Sequence, residues 1–436
     1  MKKLFIDTLG CQMNKSDTEK MFGMLSHFGY EPTENEKEAD LLIVNTCAIR
    51  QLSTDKAYSR LGNWKRLKAD KKKEGKDIKY AICGCVAQLE GEALLKKFST
   101  LDLVFGTRNI SQLPDLLKRI ENERVCAISD NPIIENDYKI DRTKSVNAWL
   151  TIMEGCNNFC SYCVVPYTRG RERSRTIDAI LKEAKQILSE GFKEITLLGQ
   201  NVDSYGKNLN DGTNFAKLLK ELDNLEGDFR IRFTSSYPTD ITDEVIETVK
   251  NSKHICECFH IPMQSGNNRI LKEMNRRYTV EQYSNIVKKI RTQIPNVAIT
   301  SDFIAGFPSE TDDEFQDTIK AIENLELDYS NTAAYSPRPI TKAGKMADKF
   351  IDEDTKKQRL QILNNKVKEA SLKSNQKYIG KVLEVLIDSV KDNVFQGRTR
   401  NNKVVHLTDG ANCSIGQFVN AEIDRVSTWC MFGTVK

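Results

Sequence analysis

Apolar runs of strand length alternate with amphipathic stretches along the first 130 residues. The strand-length runs are residues 3–8, 40–45, 78–82, 102–105 and 124–128, and helical spacing is found at residues 16–28 and 87–98. Strands that alternate with helices form parallel sheets, because each connecting helix crosses back over a face of the sheet. Residues 1–130 are therefore predicted to form an open parallel α/β sheet domain of about five strands.

The strand and helix pattern then repeats six times over residues 144–371. After a polar stretch at residues 129–145, which we interpret as a linker, strand-length runs occur at residues 148–153, 194–198, 230–234, 256–261, 297–303 and 329–335. Thr176 is a predicted N-cap for a helix over residues 177–190, and a polar helix over 352–376 closes the region. Six such units predict a partial (β/α)6 barrel, whose functional groups lie where strands pass into loops.

The end of the chain has a different pattern, with short alternating runs at residues 382–387, 394–400, 403–407 and 418–426. Turn residues separate these runs, which is typical of a small β-barrel. Residues 372–436 are therefore predicted to form a third domain. The fold class is α/β in the first two domains, followed by this small β-barrel.

Composition is that of a soluble protein with metal or redox chemistry. The hydrophobic fraction is 39%, the charged fraction is 29%, and the net charge of +4 neither requires nor excludes a nucleic-acid partner. No apolar run approaches membrane-spanning length, and the first residues lack the apolar core of a signal peptide. We expect a cytoplasmic monomer with no membrane partner. Twelve cysteines in such a protein indicate metal or redox chemistry, because disulfides rarely persist in the cytosol.

The most informative cysteines are Cys156, Cys160 and Cys163, which have the spacing C-x-x-x-C-x-x-C. Three thiolates at this spacing can hold three corners of a cubane iron–sulfur cluster, which normally takes four cysteines. The fourth iron would then be open to a small molecule. A zinc site or scattered buried cysteines are the alternatives, but no second ligand pair lies nearby in the sequence.

A second cysteine triad is predicted at Cys11, Cys47 and Cys85, each of which follows a predicted strand of the first domain. The carboxyl ends of parallel strands share one edge of a sheet, so these three cysteines can converge on a second cluster. Three separate core cysteines are the alternative. Cys83 could compete with Cys85 as a ligand, but it lies within the apolar strand, and Cys85 is preferred.

The run from Cys156 to Cys163 resembles the signature of the radical S-adenosylmethionine (radical SAM) superfamily, and Tyr162 matches that family's aromatic position near the adenine. The resemblance implies that the open iron binds the methionyl group of SAM. An electron then splits SAM into methionine and a 5′-deoxyadenosyl radical.

Further candidate SAM contacts follow the later strands of the predicted barrel. Gln200 and Asn201 come directly after a strand end, with an ordinary turn as the alternative reading. Gln264 follows the next strand but one, and Gly306 would let the backbone approach the cofactor. Four arginines follow the cysteine loop and could neutralise the SAM carboxylate or tRNA phosphate, unless they are simply solvated; they are Arg169, Arg171, Arg173 and Arg175.

The phrases around the first triad resemble the amino-terminal domain of the methylthiotransferase family. They are Gly10-Cys-Gln-Met-Asn14, Asn45-Thr-Cys-Ala-Ile-Arg50 and Gly84-Cys-Val-Ala-Gln88, and the likeness continues through Glu154–Gly170, Leu198–Val202, Pro262–Gly266 and Asp302–Thr311. The phrase that begins at Cys11 is most similar to the branch that acts on N(6)-isopentenyladenosine at tRNA position 37.

This family resemblance implies two [4Fe-4S] clusters with different tasks. The cluster at Cys156 would generate the radical that takes hydrogen from carbon 2 of the adenine, and the cluster at Cys11 would deliver sulfur to that carbon. A second SAM would supply the methyl group. The implied partners are a tRNA anticodon stem-loop, an external one-electron reductant and a sulfur donor.

The last domain resembles a TRAM domain, which is an RNA-binding β-barrel. Arg398, Arg400 and Lys403 lie in a predicted turn that would present cations to phosphate. Phe395 and Trp429 could stack on bases, although either could instead belong to the core. Three other functions remain open. They are the same chemistry on threonylcarbamoyl adenosine, the same chemistry on a ribosomal protein side chain, and a non-enzymatic iron–sulfur RNA-binding sensor.

Overall fold

The computed structural model describes residues 1–49, 51–128, 140–408 and 413–436. Two compact units make up the chain. The N-terminal unit comprises Met1–Lys144, Glu154–Asn157 and Cys163–Glu172, and the C-terminal unit comprises Ser145–Met153, Asn158–Tyr162 and Arg173–Lys436. Residues 129–139, most of the predicted linker, lie outside the described residues, as does Arg50 of the second cysteine phrase. Within the described ranges, no helix is both long enough and apolar enough to cross a membrane.

A six-stranded parallel sheet forms the centre of the N-terminal unit, in the order β2-β1-β3-β4-β5-β6. Its strands are β1 (Lys2–Leu9), β2 (Tyr30–Pro32), β3 (Leu41–Thr46), β4 (Lys79–Gly84), β5 (Leu103–Phe105) and β6 (Val125–Ala127). Its helices are α1 (Gln12–Ser26), α2 (Gln51–Lys73), α3 (Cys85–Glu90), α4 (Glu92–Lys97), α5 (Leu113–Arg119) and α6 (Val165–Thr168). The five predicted strands are confirmed. The sixth, β2, was not predicted, and the helix predicted over 87–98 is two helices that meet at Gly91, where φ is +46°.

Both faces of this sheet are covered, which is why all six residues of β3 are buried. On one face, Val44 of β3 packs in a core with Trp64 and Cys85; on the other face, Ile43 packs in a core with Met21 and Cys83. Alternation along each strand sends neighbouring residues to opposite faces.

Six parallel strands of the C-terminal unit form the partial (β/α)6 barrel that the sequence predicts. The strands β11-β10-β7 and β12-β13-β14 form two sheets, and a parallel bridge between Ile231 and Ile255 joins them. The strands of this part of the chain are β7 (Asn147–Thr151), β8 (Met153–Glu154), β9 (Arg173–Ser174), β10 (Glu194–Leu198), β11 (Arg230–Phe233), β12 (Cys258–His260), β13 (Ala298–Ala305) and β14 (Tyr329–Ala334). The helices are α7 (Ile177–Ser189), α8 (Phe215–Asp223), α9 (Asp243–Asn251), α10 (Asn268–Glu273), α11 (Val280–Gln293), α12 (Asp312–Leu325) and α13 (Glu353–Gln376). Thr176 caps α7 as predicted, accepting from the backbone N–H of Ala179 at 3.3 Å.

A closed five-stranded barrel ends the C-terminal unit, in the order β15-β16-β17-β19-β18. Its strands are β15 (Val382–Lys391), β16 (Val394–Thr399), β17 (Val404–Leu407), β18 (Phe418–Val426) and β19 (Met431–Val435). The first four confirm the sequence prediction, and β19 was missed. Arg232 of β11 donates to the backbone carbonyls of Thr399 and Arg400 at 2.8 and 2.7 Å, so the small barrel is fastened to the larger one by buried hydrogen bonds.

Candidate active site

Three thiols predicted to share one sheet edge do meet in the N-terminal unit. Cys11 follows β1, Cys47 follows β3, and Cys85 begins α3 directly after β4. Interaction with the thiols of Cys11 and Cys85 raises the pKa of the Cys47 thiol, so the three groups are neighbours. Since β1, β3 and β4 are adjacent and parallel, their carboxyl ends carry the three cysteines to one place.

Asparagine side chains that sequence reasoning missed hold the loops of this triad. Asn14 accepts from the backbone N–H of Cys11 at 3.2 Å and donates to the side chain of Asn45 at 2.9 Å. Asn45 donates in turn to the backbone carbonyl of Asn14 at 2.8 Å. Gly84, with φ at +88°, brings the chain so close to Thr46 that any Cβ would collide with its carbonyl oxygen. The signal was present, because Asn14, Asn45 and Gly84 all belong to the quoted cysteine phrases.

A buried cation lies beside the triad. Arg169 donates through Nη2 to Asp17 at 2.6 Å, and these two side chains are only 4% and 2% exposed. Hydrogen bonding from the Cys47 thiol, with the Arg169 charge in addition, lowers the pKa of both Cys11 and Cys85. Interaction with the Cys11 and Cys85 thiols, together with burial, raises the pKa of Cys47. The site therefore favours thiolate at two of its three cysteines.

Cys83 is on the other side of the sheet. It is fully buried in the core that contains Ile43 and Ala81, whereas Cys85 belongs to the opposite core. Burial raises the pKa of the Cys83 thiol. This placement favours Cys85 over Cys83 as the third member of the triad.

In the described part of the chain, no group of three or more His, Cys, Asp or Glu side chains could hold a metal ion.

Two cysteines of the second loop, Cys156 and Cys163, belong to the N-terminal unit. The backbone N–H of Cys156 donates to the carbonyl of Gly170 at 3.0 Å. Gly155, with φ at +82°, leaves no room for a Cβ, which would collide with the carbonyl of Arg171. Glu172 accepts from the backbone N–H of Asn157 at 3.1 Å, so the two short segments that carry these cysteines are tied together.

The third cysteine of that loop, Cys160, belongs to the C-terminal unit, where Arg276 donates to its Sγ at 3.4 Å. Arg276 is buried against the rings of Tyr237 and Tyr278, at 4.4 and 5.0 Å from their centroids. Next in the chain, Ser161 is bonded by its backbone to Met274 and Ala343.

The predicted adenine-side residue Tyr162 packs against a small apolar cluster in the C-terminal unit, which includes Met274, Phe307 and Tyr335. The cluster gives this ring a fixed apolar support. Its role toward a cofactor stays a prediction.

Two buried side-chain oxygens shortly after β10 have no hydrogen-bond partner among the described residues. Asn201 is 1% exposed and donates to Asp240 at 2.7 Å, while its Oδ1 has no hydrogen-bond partner among the described residues. Asp203 accepts from the backbone N–H of Tyr237 at 3.2 Å. Its Oδ1 also has no hydrogen-bond partner among the described residues. Burial raises the pKa of Asp203 to about 7. Gln200 lies just after the end of β10 and is half-buried.

The last two candidate SAM contacts lie beside β13. Gln264 adopts φ +75°, is 8% exposed, and bonds through its backbone to Asp302 at 2.8 Å and Ile304 at 3.0 Å. Gly306 has φ +73°, and the space that a Cβ would need is filled by the side chain of Lys356. This lysine gives the glycine a structural reason beyond the predicted approach to a cofactor.

Glu310, which sequence reasoning missed, accepts from the backbone N–H of Gly306 at 2.8 Å and from Arg359 at 2.9 Å. Burial raises the pKa of Glu310 to about 7. The signal was present, because Glu310 belongs to the quoted phrase Asp302–Thr311. This ion pair fixes the loop that follows β13.

The three predicted RNA-binding side chains differ in their exposure and in their ion-pair partners. Lys403 pairs with Asp328 at 3.2 Å, with both side chains about 90% buried, and Arg400 pairs with Glu257 at 2.8 Å. Arg398 is the most exposed of the three, at 41%, and lies 3.5 Å from Asp388. Their role toward RNA stays a prediction, and the first two have structural partners within the C-terminal unit.

Other predicted positions also have protein partners. Arg169 pairs with Asp17, and Arg175 pairs with Glu183 at 2.7 Å, so neither is the solvated charge considered as an alternative. Phe395 packs on the core of the small barrel, whereas Trp429 is 51% exposed.

Three family models match the chain: the radical SAM superfamily over residues 150–322, the uncharacterized protein family UPF0004 over residues 3–106, and the TRAM domain over residues 376–436. A protein of Acetivibrio thermocellus named "tRNA-2-methylthio-N(6)-dimethylallyladenosine synthase" is 45% identical, over 100% of this chain and 91% of its own length. Proteins of the same name from Caldicellulosiruptor saccharolyticus (45%; 100% and 92%) and Clostridium perfringens (44%; 100% and 98%) are similar to it to the same degree. This chain belongs to that synthase family.

Solved structures support the fold of this family member. The radical S-adenosylmethionine methyltransferase TsrM of Kitasatospora setae, with cobalamin and a [4Fe-4S] cluster bound, matches with a TM-score of 0.58 at 13% identity, over 79% of this chain and 77% of that one. The cobalamin-dependent radical enzyme OxsB matches with a TM-score of 0.53 at 12% identity, over 82% and 56%. The predicted family and fold class are confirmed, and SAM and [4Fe-4S] clusters are the cofactors of the radical SAM family.

Proposed function

We propose that this protein methylthiolates carbon 2 of N(6)-isopentenyladenosine at tRNA position 37 by radical SAM chemistry. The main support is structural: three thiols meet at adjacent strand ends, in a chain 45% identical over its full length to a relative named for the 2-methylthio product. Carbon 2 of adenine is neither acidic nor nucleophilic, so acid–base side chains alone would not activate it. A radical route fits this demand.

The residues present fit an iron–sulfur cluster at Cys11, Cys47 and Cys85. Two of the three thiols have lowered pKa values, and a buried arginine lies beside them. A cubane distributes its thiolates over separate irons, so its ligands need not converge on one point, as those of a single ion would. When bound, the two [4Fe-4S] clusters and SAM would supply the electron, the radical and the sulfur. We propose Cys156, Cys160 and Cys163 as the ligands of the other cluster.

The chain's own residues would position these groups. Arg276 would hold Cys160 in orientation through its hydrogen bond, and Tyr162 would offer an apolar surface supported by its cluster. Asn201 has a free buried acceptor that suits the amine of SAM. Gln200, Gln264 and Gly306 are proposed to complete the SAM site. Their positions after strands β10, β12 and β13 agree with the usual location of sites on such barrels.

The partners and setting follow from the same proposal. A tRNA anticodon stem-loop would be the substrate, since a loop base can be turned into a pocket at low cost. The reaction needs an external one-electron reductant and a sulfur donor. We propose a cytoplasmic monomer with domains at 1–130, 144–371 and 372–436. In the last domain, Arg398 suits a phosphate contact better than Arg400 or Lys403, because it is the most exposed of the three.

Mass spectrometry of tRNA nucleosides tests the proposal. A strain that lacks the protein should contain N(6)-isopentenyladenosine in place of its 2-methylthio derivative, and the gene should restore the derivative. The variant Cys160→Ala should not. Unchanged 2-methylthio nucleosides in the deletion strain would refute the proposal. Loss of a modification on threonylcarbamoyl adenosine or on a ribosomal protein would support one of the alternative substrates instead.

A further inference from the structure

Arg169 and Asp17 form a fully enclosed ion pair in the N-terminal unit. Their atoms are 2.6 Å apart and their side chains are 4% and 2% exposed. Glu154, with a 10% exposed side chain, lies 3.8 Å from the other side of the guanidinium. Arg169 Nη1 has no hydrogen-bond partner among the described residues. The free energy of desolvating two buried charges is usually about as large as the attraction between them. Stability alone therefore gives no reason for this ion pair.

The position of Arg169 is set by the residues on either side of it. Its backbone N–H donates to Val165 at 2.8 Å, and the carbonyl of Thr168 accepts from Thr107 at 2.6 Å. Val164, which directly precedes the short helix α6, packs in the core that contains Cys85. Gly170, on the other side, accepts from the backbone N–H of Cys156. Arg169 therefore lies in a segment that packs beside a ligand of one predicted cluster and is hydrogen-bonded to a ligand of the other.

The electrostatic consequence concerns any group bound at Cys11, Cys47 and Cys85. Each electron added to such a group makes it more negative by one charge. A fixed positive charge nearby stabilises the more negative state. Asp17, which pairs with Arg169 at 2.6 Å, lies in α1, and that helix begins directly after Cys11. The Arg169 charge is therefore near the triad, and an arginine stays charged at all relevant pH values.

We propose that Arg169 is a positioning residue that sets the reduction potential of the cluster at Cys11, Cys47 and Cys85 by supplying its buried positive charge. Asp17 fixes the guanidinium and partly offsets that charge. The inference rests on the proposed function, because it requires a cluster at these three cysteines. It goes further in assigning a separate electrostatic task to a residue of the radical SAM loop.

The two members of the ion pair should affect the potential in opposite directions. Removal of the cation in Arg169→Gln should lower the potential, so that the ratio of reduced to oxidised cluster at a fixed ambient potential falls about tenfold or more. For a one-electron couple this is a shift of about 59 mV. Removal of the anion in Asp17→Asn should raise that ratio. A merely structural ion pair would be disrupted equally by either change, with no reason for opposite signs.

The measurement uses the full chain with Cys156, Cys160 and Cys163 changed to alanine, so that one cluster remains. An anaerobic redox titration followed by electron paramagnetic resonance gives the potential, and iron analysis gives occupancy. Arg171→Gln is the matched control, since Arg171 is an exposed arginine two residues away and should leave the potential unchanged. Arg169→Lys should keep it near that of the parent.

The outcomes separate the two proposals. If no cluster assembles in this background, both the ligand assignment and the role of Arg169 are wrong. If a cluster assembles and its potential is the same with and without the Arg169 charge, only the role of Arg169 is wrong. If Arg169→Gln does not fold, the double variant Arg169→Gln with Asp17→Asn leaves no unpaired buried carboxylate at Asp17, and it should still show a lowered potential.

Discussion

Arg400 and Glu257 form a bidentate ion pair between the small barrel and the radical SAM region. Arg400 Nε lies 3.1 and 3.0 Å from the two carboxylate oxygens, and Nη2 lies 2.8 Å from Oε1. The same guanidinium donates to the carbonyls of Lys253 and Ile255. Four acceptor atoms of the protein thus occupy the donor fork of this side chain.

Arg400→Ala should therefore act on stability, and Arg398→Ala on RNA binding. Loss of the Arg400 contacts should lower the free energy of unfolding by about 1–3 kcal/mol, because Glu257 loses its partner. Arg398→Ala should leave stability unchanged and reduce the salt dependence of affinity for an anticodon stem-loop by about one phosphate contact. Denaturant unfolding and binding measured at several salt concentrations check both. If Arg400→Ala instead weakens RNA binding and Arg398→Ala lowers stability, Arg400 is the RNA contact.

Replacement of single cysteines should separate the two predicted clusters. Cys47→Ala should lower bound iron and sulfide by about half after anaerobic reconstitution, since one of two clusters loses a ligand. SAM cleavage by the reduced variant should persist, while methylthiolation is lost. Cys83→Ala is the matched control. Cys83 lies in β4 close to Cys85, but its side chain packs in the core on the opposite face of the sheet. Full iron content in Cys47→Ala would contradict the ligand assignment.

The pKa of Asp203 gives a prediction about pH. Burial raises this pKa from 3.8 to about 7, so the folded state binds a proton that the unfolded state has already released. Stability from this group is fully present below about pH 4 and is lost as the pH rises through about 7. Asp203→Asn should gain stability relative to the parent protein between pH 4 and 8, by about 1–3 kcal/mol.

Urea unfolding at several pH values measures this difference. Asp211→Asn is the control, because Asp211 is exposed and hydrogen bonding to Thr213 lowers its pKa instead. Its difference from the parent should stay constant from pH 5 to 8. A flat difference for Asp203→Asn as well would mean that Asp203 is ionised throughout.

Trp429 is expected to stack on a base of bound RNA. Its ring is 51% exposed and meets the 40% exposed ring of Tyr329 edge-on, with centroids 5.6 Å apart. Trp429→Ala should weaken binding of an anticodon stem-loop by about 5- to 100-fold, the usual loss for one stacked base. Ile379→Ala, at another exposed apolar position of the same domain, should not. RNA should also quench fluorescence in the parent protein more than in Trp429→Ala.

The sequence could predict those parts of the structure in which apolar residues recur at the spacing of a strand or a helix. The run at Glu194–Leu198 is mostly apolar and of strand length, and it is a strand with those bounds. The convergence of Cys11, Cys47 and Cys85 follows from parallel topology, because three adjacent strands must end at one edge. The two missed strands gave weaker signals. The edge strand β2 has three residues and ends in Pro32, and Gly433 interrupts the apolar pattern of β19.

What sequence could not predict depends on partners far along the chain. Lys403 and Arg400 read as an exposed basic turn, yet their carboxylate partners Asp328 and Glu257 lie 75 and 143 residues away. Arg169 read as part of a charge run, and its partner Asp17 lies 152 residues away. The local sequence around a solvated arginine is the same in kind as that around an arginine whose carboxylate partner is distant in the chain and close only in the folded structure.

The segment that follows Cys163 has a practical consequence for anyone who divides this protein. Val164 contributes to the same core as Cys85, and Arg169 neutralises Asp17 in α1. A polypeptide that stopped at residue 130 would contain every strand of the first sheet, yet it would leave a buried carboxylate without its counterion and an apolar face uncovered. Such a fragment should aggregate or unfold, and adding a peptide spanning residues 163–172 should partly rescue it.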